Sequence, residues 1–98
     1  MNAKSILQEV RQVAHNVLSG HDVDVYLFGS WASGTQRRTS DIDIAVDPHQ
    51  PLPPGTLSNL REQLEESHIP YFVEVVDLSQ TDQKFRAKVL REGIRWSA

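Results

Sequence analysis

The sequence predicts a small α/β protein of the α+β type, a mixed sheet covered by helices, and three observations carry that expectation. Ile6, Leu7, Val10, Val13, Ala14, Val17 and Leu18 recur at helical spacing near the start. Two β-rich apolar runs, Val23 to Phe28 and Ile42 to Val46, flank a Gly29-Ser30 turn. A third such run, Tyr71 to Leu78, stands between two further helical stretches. With 98 residues, the chain reads as one domain over 1–98, long enough for a real core.

Each element has a local reason. The first helix runs from about residue 2 to 19 and stops at Gly20. Strand 23–28 ends at Gly29, where the chain must turn, and Ser30 opens a short segment, Trp31-Ala32-Ser33, able to form one helical turn. The second strand follows with Asp41 and Asp43 set among Ile42, Ile44 and Val46. Proline density from Asp47 to Gly55 predicts a loop. Leu57, Leu60 and Leu64 mark a second long helix to about Glu66, and Ile69-Pro70 leads into the third strand. Asp82 is placed to cap a last helix reaching Glu92, with Gly93 as its stop and 94–96 extended beyond.

Composition narrows the function. A net charge of −3 and a pI near 5.7 argue against a stably held nucleic-acid duplex, which calls for a basic face. The absence of cysteine excludes disulfides, a thiolate metal site and a thiol nucleophile, in keeping with a reducing cytoplasm. No apolar run approaches the length of a membrane span, and the N-terminus reads as an amphipathic helix, not a signal peptide. The histidines at 15, 21, 49 and 68 share no ligand spacing and are assigned no metal. Arg37, Arg38, Lys84, Arg86, Lys88, Arg91 and Arg95 read as solvated surface, or as contacts to a triphosphate tail or an acidic partner.

Chemistry concentrates in Gly29-Ser30 and Asp41-Ile42-Asp43. Side chains two apart on a strand share a face, so both carboxylates, about 7 Å apart along it, point at one spot. Paired acids of this kind hold hard divalent cations, and two such ions can clamp a phosphoryl group in transfer. Free backbone N–H groups at the Gly29-Ser30 turn, with the Ser30 hydroxyl beside them, form a seat for phosphate. Asp22-Val23-Asp24 has the same spacing without a Gly-Ser turn ahead of it and reads as solvated acids at the mouth of a strand. No P-loop, dinucleotide or Gly-x-Ser-x-Gly pattern is present. Packing, base stacking and a partner surface all remain open for Trp31.

The residues Gly29-Ser30-Trp31-Ala32-Ser33-Gly34, followed by Ser40-Asp41-Ile42-Asp43-Ile44-Ala45-Val46, resemble the signature of the minimal nucleotidyltransferase (MNT) domains of the DNA polymerase beta superfamily. The resemblance extends through the third strand and last helix, so nearly the whole chain is covered, and it implies the nucleotidyltransferase fold. It further implies a third acid in that strand. Glu74 and Asp77 compete for the role; three apart, they face opposite sides, and Glu74, inside the apolar run Val73 to Val76, is chosen over Asp77 at the strand end. Two positions depart from the family pattern: Ser33 stands where many relatives carry Arg, and Glu74 where the third acid is usually Asp.

By that resemblance, the expected activity is ATP-dependent adenylyl transfer to a hydroxyl, with Asp41, Asp43 and Glu74 catalytic and holding two magnesium ions, or manganese. Gly29 and Ser30 would hold the nucleotide's terminal phosphates. MNT domains of this kind pair with a separate helical HEPN protein, a ribonuclease toxin that the MNT antitoxin adenylylates. The alternative is a non-catalytic nucleotide-binding or HEPN-binding module that neutralises its partner by complex formation. A stand-alone transferase acting on a small molecule is disfavoured, because no acceptor pocket is legible in the sequence.

Overall fold

A computed structural model describes residues 2–96. The element order is α1 (Ala3–Leu18), β1 (Val23–Phe28), α2 (Ser30–Ser33), β2 (Ile42–Pro48), α3 (Thr56–Glu65), β3 (Val73–Asp77), a 3-10 turn (Leu78–Gln80), α4 (Gln83–Glu92) and β4 (Ile94–Arg95). The sheet order is β3-β2-β1-β4, with β1 antiparallel to both β2 and β4, and β2 parallel to β3. The mixed sheet and its helical cover agree with the fold class predicted.

Alternation along β2 divides the interior into two layers. Ile42, Ile44 and Val46 face the larger core, with Val25, Leu27, Val73 and Val75 from the neighbouring strands. Helix α1 covers this side with Ile6, Val10, Ala14 and Leu18, and α3 with Leu60 and Leu64. Asn2 caps α1, its Oδ1 accepting from Ser5 N at 2.8 Å. On the other side Tyr26 and Ala45 pack with Leu78 and Val89, flanked by Phe28, Val76 and Phe85. Asp43 and Asp47 share this second face with Ala45, at opposite ends of it.

Two expectations are corrected. Strand β2 does not stop at Val46: Asp47 pairs with Asp24 and Pro48 with Val23, because β1 continues alongside and proline is tolerated at a strand end. The segment after Gly93 is extended, as expected, and its Tyr26–Arg95 and Leu27–Ile94 pairings add it to the sheet as β4. Asp24 is not a solvated acid. Its side chain is 14% exposed and meets Arg95 at 2.9 Å and His49 Nε2 at 2.9 Å.

His49 lies between two acids, its Nδ1 standing 3.0 Å from Asp22 Oδ1. The hydrogen bond to Asp22 is the largest influence on its pKa and, with the charges of Asp22 and Asp24, outweighs the opposing desolvation to raise it above the ordinary 6.5. A raised folded-state value means that the stabilisation is complete below the ordinary value and is lost as pH rises through the folded one. The melting temperature is therefore expected to fall on titration upward from pH 6.5, and His49→Gln to flatten that slope. An equal slope in the variant would assign it to another group.

Candidate active site

The site is built where β1 and β2 turn toward α2. Gly29 has φ 74° and ψ −156°, a combination reached essentially by glycine alone, and it starts α2 with its carbonyl accepting from Ala32 N and Ser33 N. A Cβ at Gly29 would collide with Asp43 Oδ2, so the turn and the carboxylate occupy adjoining space. Asp43 pairs across the sheet with Phe28 on one side and Glu74 on the other. Asp41 precedes the first residue of β2 and is exposed, as is Glu74.

Electrostatics mark Asp43 as the centre. Its pKa is pushed up to about 6, first by burial, then by the hydrogen bond and charge of Glu74, and last by the charge of Asp41. A carboxylate pressed by two neighbouring acids in this way belongs to a hard-oxygen donor set whose repulsion a divalent cation would relieve. Asp77 lies at the far end of β3, where its Oδ1 accepts from Ser79 N at 2.9 Å and Ser79 Oγ at 2.6 Å and caps the 3-10 turn.

Trp31 is a packing residue, 6% exposed within the larger core. Its indole meets Tyr71 edge-on, the ring centroids 5.0 Å apart, and Nε1 donates to Ser40 O at 3.2 Å. Ser33 turns its hydroxyl to Thr35 Oγ1 at 2.8 Å and Ser30 O at 3.2 Å. One feature was not legible in the sequence: a groove of about 420 Å³ lies beside Glu74, lined by Arg61, Tyr71, Phe72 and Val75 among others. Phe72 at its rim is 67% exposed.

A second cluster lies at the opposite end of the same face. Asp24, Asp47 and His49 bring ligand-type atoms within 4.8 Å of one another, a grouping that strand periodicity could not reveal. Buried Asp47 is held by Arg86 at 3.0 Å and Asp24 by Arg95, so the cluster is already neutralised by cations of the chain itself.

The model of the polymerase beta nucleotidyltransferase family matches residues 7–95. The chain belongs to this family. Curated relatives include the "probable protein adenylyltransferase MntA" of Haemophilus influenzae, 34% identical over 65 residues, covering 66% of this chain and 57% of the relative. The protein adenylyltransferase MntA of Shewanella oneidensis is 40% identical over 73 residues, covering 70% and 49%. The chain thus spans about half the length of these relatives. Among solved structures, one described as a minimal nucleotidyltransferase superposes with a TM-score of 0.77 at 27% identity, covering 96% of this chain and 95% of that one. A toxin–antitoxin crystal structure with AMP-PNP gives a TM-score of 0.73 at 28% identity, covering 100% and 74%. The nucleotidyltransferase fold and MNT kinship expected from the motif are those of these neighbours. Among the described residues no helix is long and apolar enough to cross a membrane.

Proposed function

We propose that this chain is a metal-dependent nucleotidyltransferase that moves AMP from ATP onto a hydroxyl of a separate HEPN toxin in the cytoplasm, as its antitoxin. The observation that carries the reading is the Asp43–Glu74 pair set directly under the Gly29 turn, with Asp41 adding its charge. The kinship with MntA adenylyltransferases and the AMP-PNP-containing toxin–antitoxin neighbour support the choice of nucleotide and partner.

The donor set is all carboxylate oxygen, which fits magnesium or manganese. Asp41, Asp43 and Glu74 would hold two such ions, which when bound stabilise charge on the phosphates and sharpen the acceptor hydroxyl as a nucleophile. The chain's own contribution is position. Gly29, lacking a Cβ, lets the triphosphate approach the backbone, and Ser30 adds a hydroxyl beside it. The acceptor oxygen attacks the α-phosphorus, the bond to the β-phosphate oxygen breaks, pyrophosphate leaves, and Glu74 receives or orients the hydroxyl proton.

One observation favours the second reading, a module that neutralises its partner by covering it. Ser33 is hydrogen-bonded within its own turn and offers the phosphates no cation. Incubation with labelled ATP, magnesium and a HEPN protein separates the two: mass increments of AMP on the partner are expected. A tight complex that gains none with any nucleotide or metal establishes the non-catalytic module instead.

A further inference from the structure

Asp41 is held to the sheet from one side only. Strand β2 begins at Ile42, whose N–H donates to Phe72 O at 3.0 Å, so Asp41 lies outside the ladder and its backbone depends on Ser40. Ser40 belongs to a local turn whose bonds close on themselves: its N–H donates to Arg37 O at 3.0 Å, and its Oγ accepts from Arg37 N at 2.8 Å. The Ser40 carbonyl leaves that turn and accepts from the Trp31 indole at 3.2 Å. Trp31 itself sits in α2, a four-residue helix too short to hold its own shape. Its ring edge meets Tyr71, three residues before Glu74. One buried side chain therefore touches the phosphate turn's helix, the residue preceding Asp41 and the lead into the Glu74 strand.

We propose that Trp31 is a positioning residue whose indole N–H fixes Asp41 relative to the Gly29-Ser30 turn, a role that rests on the nucleotidyl-transfer reading above. Packing alone would accept any large apolar side chain. A part-buried carbonyl that needs a directional donor requires the indole, because phenylalanine would fill much of the space and leave Ser40 O unpaired.

The test removes the donor and keeps the shape: Trp31 replaced by benzothienylalanine, in which sulfur stands for the N–H, with Trp31→Phe and Tyr71→Phe beside it. A net hydrogen bond converts to about three- to tenfold in an equilibrium. Amide exchange across residues 37–42 is expected to accelerate by that factor in the metal-free protein, while exchange in α1 is unchanged. Half-saturation by Mn2+ in the presence of AMP-PNP is expected to rise similarly, and Tyr71→Phe, which keeps its ring, should move neither. Unchanged exchange and an unchanged Mn2+ half-point in the benzothienyl variant overturn the positioning role even if its melting temperature falls. Wild-type protein that takes up no Mn2+ with AMP-PNP overturns the nucleotidyl-transfer reading instead, and the exchange result, which needs no ligand, then decides separately whether Trp31 anchors the 37–42 segment.

Discussion

Gly29→Val is expected to abolish binding of magnesium-ATP, a loss of about a hundredfold or more, equivalent to roughly 2.7 kcal/mol, since the added side chain closes the backbone approach to the phosphates. Two independent causes converge on the position. The backbone there adopts φ 74° with ψ −156°, which a β-branched residue reaches only under strain, and any Cβ runs into Asp43 Oδ2. The variant must distort the turn, push Asp43 out of line, or both, and each outcome spoils the site. Gly34→Ala separates site damage from general strain. Gly34 also has a positive φ, 76°, yet a Cβ there meets nothing within 4 Å. It should cost about 1 kcal/mol of stability through its left-handed backbone and leave nucleotide binding intact. Isothermal titration below both melting temperatures provides the comparison, and equal binding losses in the two variants would remove the phosphate seat from Gly29.

What could be read from the chain follows from which features are periodic or local. Gly29 announces a turn by itself, and the two-residue period of a strand places Asp43 and Ala45 on one face with Ile42 and Ile44 on the other. The same parity argument sets Glu74, not Asp77, beside Asp43, and the register pairs those two residues. Local capping likewise announces α4, where Asp82 Oδ1 accepts from Phe85 N at 2.7 Å. Features made by distant pairs left no such trace. Arg86 reaches Asp47 and Arg95 reaches Asp24 across 39 and 71 residues, so Asp24 looked like a solvated acid and Asp47 like part of a loop. Strand β4 is two residues long and carries no pattern; it exists because β1 offers it an edge. The groove beside Glu74 arises where α3 and β3 approach each other, which no run of residues encodes.

The acids themselves give the other large effect. Glu74→Gln is expected to abolish AMP transfer to a HEPN partner while preserving the complex, and Asp77→Asn to leave transfer nearly intact, since Asp77 caps the 3-10 turn away from the site. Asp43 carries a further consequence in the metal-free protein. Its folded-state pKa of about 6 exceeds the ordinary 3.8, so between those values the folded protein binds more protons than the unfolded chain, and stability falls as pH rises through the window. Above it the ionised carboxylate opposes folding. Asp43→Asn should therefore raise the metal-free melting temperature at neutral pH, by the equivalent of about 1 kcal/mol once solvent screening of this partly exposed group is allowed for. Magnesium should reverse the ranking: a cation between the acids stabilises wild type, and Asp41→Asn with Asp43→Asn should erase the response. A pair of melting curves with and without magnesium for each protein reads both effects. Wild-type-like stabilisation by magnesium in the double variant would place the ions elsewhere, and full AMP transfer by Glu74→Gln would take the third acid out of the chemistry. The opposite signs expected for Asp43→Asn, a gain in stability and a loss of metal response, are what distinguish a carboxylate retained for a cation from one retained for the fold.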